Sequence, residues 1–196
     1  QITLNAGETY FIMANGDLTG TKVEAIDNGS GCNNFALYGG NVCTDVECVA
    51  CDHIYDQMFP VPAWGKDFVA IPYKTRVSDR CRILASQNGT SVTINGGAPT
   101  IINTGQFFDF QLSAASFISS NLPISVAQYS KGSACDGANG DPFFIVLSPV
   151  NQKLTYITFN AFTSTIITSY YVNIFSETDD IGVVLLDGVG ISASFF

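Results

Sequence analysis

Ile124-Ser125-Val126-Ala127-Gln128-Tyr129 alternates side-chain character with period two and is rich in β-branched residues, the pattern of a strand with one face turned to a core. Working outward, Val92-Thr93-Ile94, Tyr156-Ile157-Thr158-Phe159 and Tyr170-Tyr171-Val172-Asn173-Ile174-Phe175 carry the same signature. The apolar runs Phe143 to Leu147 and Ile181 to Leu186 read as buried strands, far short of the ~20 residues a membrane-spanning helix needs. Turn chemistry separates these segments at Asn15-Gly16, Asn88-Gly89, Asn95-Gly96, Asn139-Gly140 and Asp187-Gly188, where Asn, Asp and Gly tolerate positive φ. No amphipathic helix of useful length is present. Asp52 to Phe59, cut short by Pro60, predicts one helical turn or a loop. The fold class is therefore all-β, in sandwich or barrel modules.

The chain also repeats itself. Asn5-Ala6-Gly7-Glu8-Thr9-Tyr10-Phe11-Ile12 is answered by Asn103-Thr104-Gly105-Gln106-Phe107-Phe108-Asp109-Phe110, a Gly-containing turn running into aromatic-rich extended sequence. Phe59-Pro60-Val61 is answered by Ser148-Pro149-Val150, and the strand-turn-strand reading Ile83 to Gly96 by Ile174 to Gly188, in the same order. This predicts two diverged copies of a β-sandwich-like unit, residues 1–97 and 98–196, packed as one pseudo-symmetric body. Duplication of this kind builds scaffolds and binding surfaces more often than active sites.

Composition narrows the partners. Hydrophobic residues make up 46% of the 196 residues and charged residues 13%, so the surface offers amide, hydroxyl and glycine rather than charge. Eight Lys plus Arg stand against 17 Asp plus Glu, and a net charge of −9 repels a phosphate backbone, which argues against nucleic acid. Membrane insertion is not expected either. Gln1 in place of an initiator Met, and a strand-like ending at Phe195-Phe196, predict a piece of a longer protein.

Six cysteines, Cys32, Cys43, Cys48, Cys51, Cys81 and Cys135, favour three disulfides and an oxidising compartment, with fifteen pairings open. The rival is a structural zinc site on Cys43, Cys48, Cys51 and His53. A redox role for Cys48 and Cys51 lacks the βαβ setting such chemistry uses. His53 is the sole histidine, so any Ser-His-Asp or Cys-His mechanism would pass through it, but no Gly-x-Ser-x-Gly elbow accompanies it. A structural histidine in a stapled loop is the expected role. The scattered carboxylates offer no pair that marks a glycosidase. Asp136, Asn139 and Asp141 cluster oxygen ligands in a Gly-rich loop as calcium sites do, without EF-hand spacing, and a plain turn capped by Asp136 and Asp141 is the expectation. Asn28 and Asn88 head glycosylation sequons.

Several ordered motifs resemble one family, the N-terminal domain type of IgG Fc-binding proteins. They are Leu4 to Tyr10, Cys51-Asp52-His53-Ile54-Tyr55-Asp56-Gln57, Pro60 to Phe68 with Trp64-Gly65-Lys66, and Arg82 to Gln87. They continue through Ala127-Gln128-Tyr129-Ser130-Lys131-Gly132, Cys135-Asp136-Gly137, Gly140-Asp141-Pro142-Phe143 and Tyr171-Val172-Asn173-Ile174, and so span nearly the whole chain. The resemblance implies a non-enzymatic extracellular module of large mucus or bacterial surface proteins. It carries over no residue set for immunoglobulin binding. Against the family pattern Cys32 and Cys81 are unusual, which implies that they pair with each other and leave Cys43, Cys48, Cys51 and Cys135 for two further bridges.

Two functions of different class follow. One is a structural or adhesion module that contacts other domains or copies of a large surface or filament protein. The other is an adhesive head in which the loops Cys32 to Trp64 and Ser130 to Pro142 bind glycan or protein. No cofactor is expected beyond the calcium candidate.

Overall fold

The computed structural model describes residues 1–27, 29, 31, 33–137 and 140–195. Its strands are β1 (Tyr38–Thr44), β2 (Asp52–Gln57), β3 (Gly65–Ala70), β4 (Asp79–Ala85), β5 (Thr90–Ile94), β6 (Thr100–Ile102), β7 (Phe107–Leu112), β8 (Ser116–Tyr129) and β9 (Phe144–Val146), with a short ladder of β10 (Leu185–Leu186) and β11 (Val189–Gly190). Helix is confined to single 3-10 turns. β3 to β9 form one seven-stranded antiparallel sheet, and β1 with β2 forms a separate hairpin. The chain is all-β, as the period-two alternation predicts.

β8 is the spine of the sheet. Residues 118 and 119 of β8 pair with both β3 and β5, while residues 127 and 129 lie between β4 and β9. A strand has two edges, and Ile124 meets Ala85 of β4 on one and Gly65 of β3 on the other. β4 and β5 therefore line up as one broken ribbon along the first edge, and β3 and β9 share the second. β6 and β7 form an outer ribbon, paired with β5 and β4 respectively.

These ribbons are not flat. Leu112 ends β7 opposite Asp79, at one end of the β4–β5 ribbon, whereas β8 opens beside Ile94 at the other end. A flat ribbon over residues 79–94 would span roughly 50 Å. Four residue steps from Leu112 to Ser116 reach at most about 14 Å. The sheet is folded over on itself, and its ends meet. The fold line runs through residues 86–89, 103–106 and 121–123, where Asn side chains replace ladder hydrogen bonds. The Gly89 N–H donates to Asn103 Oδ1 (3.0 Å), the Thr104 N–H to Asn88 Oδ1 (3.1 Å) and the Ser91 N–H to Asn121 Oδ1 (2.8 Å).

Folding the sheet encloses the core. Phe68, Val92, Ile102 and Ile118 from one half join Cys81, Ile83, Leu112, Ile124 and Val126 from the other in a single cluster. Each fully buried aliphatic side chain contributes roughly 1.5–3 kcal/mol relative to exposure. Outside, Arg82 binds Asp109 through two bonds of 2.9 Å, lies 3.8 Å over the Phe107 ring and reaches Asp17 at 2.7 Å, fastening the N-terminal segment to the sheet. Burial works against the charge on Arg82, but Asp109 and Asp17 outweigh it and raise its pKa.

The secondary structure differs from the sequence expectations in four segments. Asp52–Gln57 is strand β2, because Ile54 faces inward while its neighbours Cys43 and Cys51 fix it to β1. Ile181 to Leu186, expected as a buried strand, is largely exposed, with Val183 at 71% and ladder pairing only at Leu185–Leu186. Tyr156–Phe159 and Tyr170–Phe175 also form no ladder, so their alternation has no partner strand to act upon.

The paired motifs agree locally but not globally. In both Asn5–Glu8 and Asn103–Gln106 the fourth residue's N–H donates to the first residue's carbonyl, and its side chain accepts the first N–H (2.8 and 2.9 Å). Pro60 and Pro149 each open a 3-10 turn. Yet Ile83–Gly96 belongs to the folded sheet and Ile174–Gly188 does not, and no second sandwich appears among the described residues. The sheet also crosses the 97/98 boundary, since β5 pairs with β6.

Candidate functional site

The cysteine-rich hairpin sits at the end of the folded sheet where β8 leaves it. β1 and β2 approach so closely that a Cβ on Gly40 would lie 1.9 Å from the Ile54 carbonyl oxygen. Cys43–Cys51 closes the hairpin tip, and Cys48–Cys135 ties that tip to the segment following β8. A Cβ on Gly132 would stand 2.4 Å from the Cys48 carbonyl oxygen, and the Gly132 N–H donates to Val46. The two cysteine-bearing loops of the sequence reading are thus in direct contact.

Beneath this junction lies a buried polar hub. Lys131 donates to Ser78 Oγ (2.8 Å) and pairs with Glu47 (2.6 Å), which also meets Arg80. Arg76 binds Asp136 at 3.0 Å with both side chains almost wholly out of solvent, and the Val77 N–H reaches the second Asp136 oxygen. Asp79, fully buried, accepts the Tyr73 N–H (2.7 Å) and Gln128 Nε2 (2.9 Å) through Oδ2. Its Oδ1 has no partner among the described residues, nor has the buried hydroxyl of Ser130. The pairing of Arg80 with Tyr129 sets these two residues opposite one another. Burial raises the Asp79 pKa, with the Tyr73 and Gln128 hydrogen bonds pulling the other way. Burial likewise lifts the Tyr73 hydroxyl, helped by the Asp79 charge.

The sequence candidates take the following places. Cys43, Cys48, Cys51 and Cys135 form two disulfides, which consumes the thiols of the zinc alternative. Cys81 is unpaired: alternation along β4 turns it into the core with Ile83, and burial pushes its thiol pKa up to about 12. Cys32, Asn28 and Asn139 lie outside the described residues. His53 is exposed, with Nδ1 3.1 Å from Asp52. The His53 N–H holds the Asp52 carboxyl below its ordinary range. Asp136 is engaged by Arg76 and Asp141 is exposed, which leaves the calcium reading of this loop without a described third ligand. Among the described residues no three His, Cys, Asp or Glu side chains are grouped to hold a metal. Asn88 is exposed but pins the fold line, and the Thr90 hydroxyl of its sequon is buried on the Gln87 carbonyl.

Two further features lie at the surface. Tyr38 and Tyr55 stack across the hairpin, rings 5.7 Å apart and 7° from parallel, both at least half exposed. A cleft of about 460 Å³ opens between Trp64–Asp67, Pro123 and residues 150–153. Sequence reading assigned no role to Arg76, Asp79, Gln128 or Lys131. The signal was present in Gln128, a polar residue at a core-facing position of an otherwise apolar alternation.

A family model described as IgGFc binding protein matches residues 1–195. A human relative, IgGFc-binding protein, is 26% identical over 157 residues, covering 76% of this chain and 3% of its own length. The chain thus spans a small fraction of that relative. No solved structure matches.

Proposed function

The chain belongs to the IgGFc-binding protein family, and from that membership we propose that it is a non-enzymatic extracellular module of a larger protein, serving structure or adhesion. One observation carries the reading: the Cys48–Cys135 bridge joins segments 87 residues apart and locks the hairpin onto the sandwich end, a device suited to an oxidising exterior. The buried charges around it are spent on internal partners rather than aimed into a cleft. Other domains or copies of the same large protein are the natural neighbours. Descent from a duplicated β unit belongs to the same proposal, supported by the twin turns at Asn5 and Asn103 and at Pro60 and Pro149.

The test is limited proteolysis of the oxidised and the reduced chain. The oxidised chain is expected to resist cleavage at residues 38–57 and the reduced chain to be cut there first. Equal resistance after reduction would remove the support for an extracellular, bridge-dependent module.

A second reading, a ligand-binding head, is favoured by the Tyr38–Tyr55 ledge, since exposed aromatic pairs on a rigid support suit recognition. Screening the folded chain against glycans and immunoglobulin G, the target in the relative's name, tests it. Binding lost in Tyr38→Ala and Tyr55→Ala would establish the ledge as the contact.

A further inference from the structure

We propose that the cleft between the start of β3 and residues 150–153 binds a saccharide that carries a carboxylate, with Trp64 as the stacking face and Lys66 and Lys153 as the partners of the acid group. This goes beyond the structural reading and does not depend on the stapled hairpin, which is built from other residues.

The cleft's volume, about 460 Å³, lies in the range of small-ligand sites, and its walls are fixed. Pro149 presses on β3 so closely that a Cβ on Gly65 would sit 2.2 Å from its Cβ, and Gln152 Nε2 donates to the Ala63 carbonyl (2.8 Å). Trp64 is oriented by its indole N–H, which donates to the Phe59 carbonyl (3.0 Å). Its ring is half-buried at the rim. A pyranose presents C–H bonds on one face, and these carry the positive charge that the electron-rich face of an indole attracts.

The charges select the sugar. Only eight cations exist in a chain of net charge −9, yet two of them line this one cleft. Lys66 has no ion pair among the described residues, and Lys153 holds only the exposed Glu177, which a ligand carboxylate can replace. A polyanion is disfavoured by the overall charge, whereas a single carboxylate on a neutral ring meets Lys66 and Lys153 locally. Asn151 and Asp67 supply an amide and an acceptor for ring hydroxyls.

Trp64 is the sole tryptophan, so intrinsic fluorescence reports from the site itself. The 196-residue chain is titrated with sialyllactose, a glucuronic-acid disaccharide, neutral lactose and sodium acetate, with calorimetry on the same solutions. A saturable response to either acidic sugar is expected, at least tenfold weaker for lactose, absent for acetate and weakened by added salt. Which acidic sugar binds tighter separates sialic from uronic acid. The double variant Lys66→Gln/Lys153→Gln should bind at least tenfold more weakly with an unchanged melting temperature. No saturable heat or fluorescence change with either acid, an equal response to lactose or acetate, or unaltered binding by the double variant would overturn the assignment.

Discussion

Asn88 and Asn103 clasp each other's strand connection across the fold of the sheet: the Asn88 side-chain Oδ1 takes the Thr104 N–H at 3.1 Å, and the Asn103 Oδ1 takes the Gly89 N–H at 3.0 Å. Asn121 completes the line, accepting from the Ser91 N–H and donating to the Gly89 carbonyl. Three ribbons turn the same corner, and each would otherwise leave backbone groups without a ladder partner.

Asn121→Ala removes both of its bonds and is expected to lower stability by about 1–2 kcal/mol, with Asn88→Ala costing less because it removes one bond rather than two. Urea denaturation of the variants measures both. An Asn121→Ala midpoint equal to that of the parent would show that water serves the corner as well as the side chain does.

The two disulfides should differ in worth. By loop entropy, the bridge separated by 87 residues constrains the unfolded chain by about 4–5 kcal/mol and the one separated by eight by about 2–3 kcal/mol. Cys48→Ala/Cys135→Ala is therefore expected to lose more stability than Cys43→Ala/Cys51→Ala. The reverse order in thermal melts would mean that the hairpin tip matters more than its attachment.

Asp136→Ala strands the Arg76 guanidinium in a dry site, where breaking such a pair costs roughly 3–5 kcal/mol. Chelation with EDTA should leave the parent's melting temperature unchanged, because Asp136 is held by Arg76 and the Val77 N–H. A chelator-induced drop would restore calcium to the loop that Asp136 and Asp141 bound.

Local pattern made much of this legible. Ile124 to Tyr129 reads as a strand with Val126 inward, and Val126 is fully buried. The same pattern in Tyr170–Phe175 gave no strand, because alternation describes a segment's two faces and says nothing of whether a partner edge is available. The folded sheet was hidden for a related reason: it depends on a four-step link from Leu112 to Ser116 closing pairings far apart in sequence. Asp136 resembled a ligand because its partner, Arg76, lies 60 residues away. Cys81 was counted among the bridging cysteines although its place in the alternation of β4 marks it as a core residue.

Asp79 makes stability depend on pH in a direction opposite to the usual carboxylate. Its folded pKa is raised by burial, against the Tyr73 and Gln128 hydrogen bonds and the charges of Arg76 and Lys131, so the folded chain holds the proton more tightly than the unfolded chain. The ionised form is the destabilising one: its penalty is fully present above the folded pKa and relieved as pH falls toward the ordinary carboxylate range. Asp79→Asn removes that charge while its carbonyl keeps both accepted bonds, and its amide nitrogen takes the place of the unpartnered Oδ1. The variant should be more stable than the parent near neutral pH, with the gap closing as pH falls through the raised folded pKa toward about pH 4. Asp79→Ala, which leaves the Tyr73 N–H and the Gln128 amide without their acceptor, should lose about 1–3 kcal/mol throughout. Denaturation of all three proteins across that range decides the matter: a constant gap, or an Asn variant weaker than the parent at neutral pH, would mean that Asp79 is stabilised as a carboxylate by Lys131 and Arg76 rather than strained by burial.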